Sequence, residues 1–143
     1  MIRLSKKVEY SLIALSYIAS KKNGKLVSAK EIAFCFQIPK ELMAKILQKL
    51  TQEGYICSIQ GPKGGYQLSR SLEEINLTDL IKSIEGSLSL IDCEKNSEIN
   101  CVRINDCVIR APMLQINQQI NRYFDKITLD DILNSTIPKI TTS

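Results

Sequence analysis

The chain has no histidine among its 143 residues. Without an imidazole there is no Ser-His-Asp or Cys-His catalysis, no HExxH zinc site and no Cys2His2 finger, since each needs that ring as base or ligand. An ordinary hydrolase is set aside on that ground. Long apolar runs are also missing, and no stretch approaches the roughly 18 apolar residues of a membrane span. Arg3, Lys6 and Lys7 ahead of Leu12-Ile13-Ala14-Leu15 imitate a signal peptide. Glu9 interrupts the approach, however, no A-x-A cleavage site follows, and Lys21-Lys22 closes the segment, so the stretch reads as a helix of the mature protein. An even set of cysteines is absent too. Five in total, three of them clustered, argue against a secreted disulfide framework and for a reduced, cytoplasmic compartment.

What is present suits one domain, or a small domain with an oligomerisation element. Of the residues 44% are apolar, and the net charge of +4 is unevenly spread. Residues 1–70 carry 12 Lys and Arg against 4 acids, whereas residues 71–143 carry 7 against 11. A basic first half fits a polyanionic partner, most simply nucleic acid, with the acidic half held away from it; a solvated lysine-rich surface is the plainer alternative.

Val8, Leu12, Leu15 and Ala19 recur at helical spacing, which predicts an amphipathic helix over about residues 5–21, ended by Asn23-Gly24. Ser28 with Glu31 three residues on forms a capping-box pattern for a short helix through about Phe36. Pro39 suits the first position of the next helix, which carries Leu42, Ile46, Leu47 and Leu50 inward and stops at Gly54. Two helices joined by a tight turn, the second basic, make a helix-turn-helix pattern. Tyr55–Ile59 and Tyr66–Ser69 read as strands around the turn Gly61-Pro62-Lys63-Gly64-Gly65, placing a glycine-tipped hairpin directly after the second helix. That is the order of a winged helix-turn-helix.

Asn76 or Thr78 caps a further helix that Gly86 ends. From Pro112 onward Met113, Ile116, Ile120, Tyr123 and Ile127 keep steps of three and four, opposite a face of Gln115, Asn117, Gln118, Gln119, Asn121 and Arg122. Such a stripe needs a partner, and a second copy of the chain is expected over packing on its own domain. Thr128, Asp130 and Asp131 start a last short turn. The expected organisation is mainly α with a small β-hairpin wing: a winged helix-turn-helix over 1–86, a cysteine-bearing loop over 87–110, a dimerisation helix and final turn over 111–133, and a flexible tail over 134–143.

In a helix-turn-helix the second helix enters the major groove of double-stranded DNA. The residues placed to contact DNA are Lys40, Glu41, Ala44, Lys45 and Gln48, with Ser28 at the preceding cap. Glu41 suits a cytosine amine and Gln48 an adenine, the lysines suit phosphate or guanine, and Ala44 offers only a methyl. Gln60, Pro62, Lys63 and Gly64 of the wing would lie along the adjacent backbone or minor groove.

Cys35 and Cys57 stand alone in apolar surroundings, where a buried structural thiol is expected. Cys93, Cys101 and Cys107 lie within 15 residues in the spacing C-x7-C-x5-C. Thiolate is the preferred ligand of iron-sulfur clusters and of zinc, and three of them leave one corner for a weaker ligand. Three oxidisable thiols in an acidic loop are the alternative.

Arg3-Leu4-Ser5, Glu31-Ile32-Ala33, Ile38-Pro39, Leu47-Gln48-Lys49-Leu50, Gly54-Tyr55-Ile56 and Gly61-Pro62-Lys63-Gly64-Gly65-Tyr66-Gln67-Leu68 together resemble the Rrf-two family of bacterial transcription regulators. The similarity runs on through Ile84-Glu85-Gly86, the three cysteines and Thr128-Leu129-Asp130-Asp131. The resemblance implies a homodimeric winged helix-turn-helix regulator, not an enzyme, acting on a pseudo-palindromic operator. Many members hold an iron-sulfur cluster, 2Fe-2S or 4Fe-4S, before the dimerisation helix. The cysteine spacing looks most like regulators of SUF cluster assembly and the RirA type.

IscR-type members use a histidine three residues after the last cysteine, where this chain has Arg110, which cannot ligate. NsrR-type members use an acidic residue near the N-terminus, and Glu9 stands at the matching place. The resemblance therefore implies Cys93, Cys101, Cys107 and Glu9 as the ligand set, with Asp92, Asp106 or a small thiol as substitutes for Glu9. Some relatives carry arginine where this chain has Gln60, which weakens the case for minor-groove reading. The expectation is a cytoplasmic repressor of iron-sulfur assembly or iron genes, with no membrane and no small-molecule substrate. A nitric-oxide or redox sensor of the same fold and a small iron-sulfur or zinc carrier are the rivals.

Overall fold

Two side-chain caps and a proline set where the first helices begin. The Ser5 hydroxyl accepts from the Val8 amide and opens α1, Lys6–Ser20. The Ser28 hydroxyl accepts from the Glu31 amide and opens α2, Ala29–Phe36, a one-sided version of the expected box. A left-handed Gln37, φ 53°, makes the turn into α3, Lys40–Gln52. Pro39 is the N-cap and not the first helical residue, one position earlier than its sequence suggested; its carbonyl accepts from the Met43 amide. The computed structural model describes residues 3–21, 24–86, 89 and 107–139.

Strands β1, Ile56–Ile59, and β2, Gly65–Leu68, pair antiparallel with Ile56 opposite Leu68 and Ile59 opposite Gly65. The hairpin is tied back to the helices, because Val27 and Tyr66 exchange backbone hydrogen bonds of 3.1 and 2.7 Å. That tie explains Gly65: a Cβ there would stand 2.8 Å from the Val27 carbonyl oxygen. At the tip, a Cβ on Gly64 would run into the Ile59 carbonyl oxygen.

A 3-10 turn, Leu72–Glu74, leads to α4, Leu77–Glu85, which Asn76 caps through Asp79 and Gly86 ends at φ 89°. Helix α5, Arg110–Asp125, starts two residues before the expected point. Pro112 lies in its first turn, where an amide would have no intrahelical acceptor. The last helix, α6, Leu129–Asn134, carries the reciprocal capping box, formed by Thr128 and Asp131.

One buried cluster unites Leu15, Ile18, Val27, Ile32, Met43, Leu47, Leu50, Ile56, Ile75 and Leu80 with Leu129 from near the other end of the chain. Val8, Leu77, Ile81 and Ile127 form a second cluster under Tyr123 and Phe124. Both are drawn together where Leu77 N–H donates to the Ile127 carbonyl and Leu129 N–H to the Ile75 carbonyl, at 2.8 and 2.9 Å. The late helices are thereby stitched onto the first half of the molecule.

Candidate functional site

Helix α3 divides its residues cleanly by the 3.6-residue period. Met43, Ile46, Leu47 and Leu50 are buried, and Lys40, Glu41, Ala44, Lys45 and Gln48 are all exposed on the opposite side. Glu41 sits in the first turn, where a negative charge meets the positive end of the helix dipole. Ser28 is exposed at the start of α2. In the wing, Gln60, Pro62 and Lys63 are exposed and Gly64 is half-buried, its amide donating to the Gly61 carbonyl at 2.9 Å. Charge, exposure and a glycine-flanked tip that presents Pro62 and Lys63 fit a surface able to lie along DNA, with α3 in the groove and the hairpin beside it.

Of the four expected ligands, Cys93 and Cys101 lie outside the described residues. Cys107 is half-buried with a free thiol, and its carbonyl accepts from the Arg110 amide at 3.4 Å, so it stands at the foot of α5. Glu9 lies in the first turn of α1, where its Oε2 pairs with Lys6 Nζ at 2.9 Å; that pair raises the Lys6 pKa, through the hydrogen bond first and the Coulombic attraction second. The donor chemistry of thiolates with one carboxylate fits an iron-sulfur group. Among the described residues no three Cys, Asp or Glu side chains come together as a metal site.

A contact beside Glu9 is invisible in the sequence. The Ser5 hydroxyl donates to a carboxylate oxygen of Glu85, joining the start of α1 to the end of α4. Gly86 follows at once, so the end of α4 is anchored to α1. No local pattern signals a bond between residues 80 apart.

Helix α5 corrects one expectation about faces. Asn117, assigned to the polar side, is the one residue of the helix that is fully buried, at 1% exposure. Beside it the Asn121 carbonyl accepts from the buried Thr78 hydroxyl of α4 at 3.3 Å. Ile116 is 45% exposed, and with Ile120 and Tyr123 it flanks an open groove of about 390 Å³ bordered by Pro138, whose carbonyl accepts from the Tyr123 hydroxyl at 2.9 Å.

Cys35 is a second correction. It is exposed, not buried, between Phe34 at 85% exposure and a likewise exposed Phe36. Ile32 and Ala33 already supply the inward face of this two-turn helix. The Cys35 sulfur lies 3.6 Å from the Tyr17 hydroxyl, a contact that raises the Tyr17 pKa. Cys57, also expected to be buried, is only half-buried and meets Gln67 Nε2 at 3.6 Å.

An exposed basic helix on a helical core, flanked by a glycine-tipped hairpin, defines the class: winged helix-turn-helix transcription regulators. The chain belongs to the Rrf2 family, described as an iron-dependent transcriptional regulator, whose profile matches residues 4–135. It is 32% identical over 138 residues to protein aau3 of Rhizobium meliloti, covering 94% of this chain and 86% of that protein. To the HTH-type transcriptional regulator NsrR of Bacillus licheniformis it is 29% identical over 135 residues, covering 92% of each. Its fold matches that of CymR, the global cysteine regulator of B. subtilis, with a TM-score of 0.75 and 25% identity over 94% of this chain and 98% of that one. IscR of T. potens shares the fold at a TM-score of 0.72 and 24% identity, covering 99% of this chain and 94% of that one. The homologues are regulators, not enzymes. Among the described residues no helix is long and apolar enough to cross a membrane.

Proposed function

We propose that this protein is a cytoplasmic, homodimeric repressor that senses iron-sulfur supply and controls genes of cluster assembly or iron uptake. One observation carries the reading: Cys107 stands at the foot of α5, the helix that packs on α4 and is stitched through Ile127 and Leu129 to the core behind α3. Whatever Cys107 holds therefore bears on the element that presents the recognition surface. An iron-sulfur cluster, when bound, would supply a removable link among Cys93, Cys101, Cys107 and a carboxylate, with Glu9 favoured.

Lys40, Glu41, Ala44, Lys45 and Gln48 enter the major groove of a pseudo-palindromic operator. Ser28 meets the backbone, and Gln60, Pro62, Lys63 and Gly64 follow the neighbouring strand. A second copy of the chain covers the Ile116, Ile120 and Tyr123 stripe of α5, setting the distance between two recognition helices. Cys107 and Glu9 act at the two ends of that arrangement, one just ahead of α5 and one on α1. Glu9 pairs with Lys6 through Oε2 alone, so its other carboxylate oxygen would be the one to hold the cluster, with Lys6 as the hydrogen-bonding group behind it. Coupling requires the ligated and unligated arrangements to differ in free energy.

Anaerobic purification followed by an absorption spectrum and an iron and sulfide count tests the reading. A visible chromophore is expected, with Cys101→Ala abolishing it and removal of iron changing affinity for the protein's own promoter at fixed salt. A colourless protein without iron or sulfide refutes it. The likeness to CymR, at 25% identity, supports a second reading, a cluster-free regulator answering to thiol or cysteine status. The likeness to NsrR keeps a nitric-oxide response in view, separable by following spectra and DNA binding together as nitric oxide is added.

A further inference from the structure

Between α1, α3 and α4 lies a second groove, of about 240 Å³, that shares only Lys45 with the proposed DNA face. Leu42, Ile46 and Ile84 line it with apolar surface, and Lys7, Lys45 and Lys49 are the cationic residues along its wall. Ser11 also borders it, but its hydroxyl proton is donated to the Lys7 carbonyl at 2.7 Å, so recognition falls to the lysines. Two acids stand near. Glu53 pairs with Lys49 at 3.1 Å, and the Glu85 carboxylate accepts from Ser5. Lys7 and Lys45 have no carboxylate partner among the described residues, so uncompensated positive charge lies over an apolar floor.

From this pairing of charge and surface we infer that the groove is a binding site for a small carboxylate with a short apolar tail. A phosphodiester backbone would satisfy the lysines but has nothing to lay on Leu42 and Ile84, and a neutral hydrocarbon would leave the lysines unmet. The volume lies below the roughly 300–1,000 Å³ of sites for drug-sized molecules, which selects a compact, metabolite-sized anion. Because Lys45 belongs to both surfaces, an occupied groove removes a cation from the DNA face. That second consequence rests on the DNA reading proposed above, whereas binding of the anion does not.

The test uses hexanoate as probe, with 1-hexanol as its uncharged counterpart and sulfate as an anion without a tail, at matched ionic strength and without DNA. Amide chemical shifts of the isotope-labelled full chain are followed by NMR. Hexanoate is expected to give saturable shifts around Lys7, Leu42 and Ile84, with a dissociation constant on the order of millimolar for so few contacts. Lys7→Gln should weaken hexanoate roughly two- to fivefold, as for a partly exposed ion pair, and leave thermal unfolding unchanged. Absence of saturable shifts at these residues overturns the proposal. So does hexanol binding equally well, or sulfate producing the same shifts. DNA affinity is then measured with and without hexanoate at one salt concentration; a protein that binds hexanoate but no DNA refutes the earlier reading and keeps the site.

Discussion

Single residues carry the geometry of the wing and of the last helix. Gly64 is fixed by sterics, since any Cβ meets the Ile59 carbonyl. Gly64→Ala should introduce about 1–3 kcal/mol of backbone strain at the tip and weaken DNA binding while leaving the helical circular dichroism intact, a pair of readouts that separates the wing from the core. At the other end, Asp131 accepts from the Thr128 amide at 3.0 Å, a bond that holds its carboxyl below the usual carboxylate range. A group whose pKa is lower when folded stabilises the fold fully above the ordinary carboxylate pKa, and that contribution is lost as pH falls through the folded value. Acid titration should therefore loosen α6 below about pH 4, and Asp131→Asn should flatten that acid dependence, whereas Thr128→Ala, which keeps the amide but loses the cap hydroxyl, should remove about 1 kcal/mol at neutral pH, both measured by chemical denaturation. Residue-level reading of the sequence was weakest for Cys35. Phe34-Cys35-Phe36 is apolar by composition, but a helix of two turns has room inside for only one stripe, and Ile32 and Ala33 fill it.

Elements were the most legible level. Caps at Ser28, Asn76 and Thr128, the left-handed Gly54 and Gly86, and the period of α1 and α3 placed the helices within one or two residues, because these are local signals that need no tertiary partner. The sides of α5 were less legible. Its apolar stripe is plain in the sequence, but Asn117 is buried on the side where the Asn121 carbonyl meets Thr78 of α4, and a helical wheel shows only the larger apolar face. The candidate ligands were identified by spacing and resemblance, whereas the Ser5 to Glu85 link beside Glu9 arises only from the fold. For the recognition helix and wing, Lys45→Ala combined with Lys63→Ala should lower DNA affinity for all sequences alike and reduce the salt slope by about 2. Fluorescence anisotropy across a salt series measures both, and an unchanged slope would remove these lysines from the phosphate contacts.

At the scale of the whole molecule, the open flank of α5 sets the expected assembly. Ile120→Glu places a charge in the middle of that stripe and should convert the dimer to a monomer, read by sedimentation. Affinity for a two-half-site duplex should then fall by roughly 100-fold or more as the second contact ceases to be intramolecular. A mutant that stays dimeric would move the interface elsewhere. The stitch between residues 75–77 and 127–129 has a further meaning for how the protein comes into being. Leu129 and the half-buried Ile132 complete the same core as Leu15, Ile32 and Leu80. A nascent chain emerges from the ribosome N-terminal end first. The half that carries α3 therefore waits, with its core open on one side, until Ile127 and Leu129 have been synthesised. The core behind α3 is thus closed only when residues from both ends of the chain are in place.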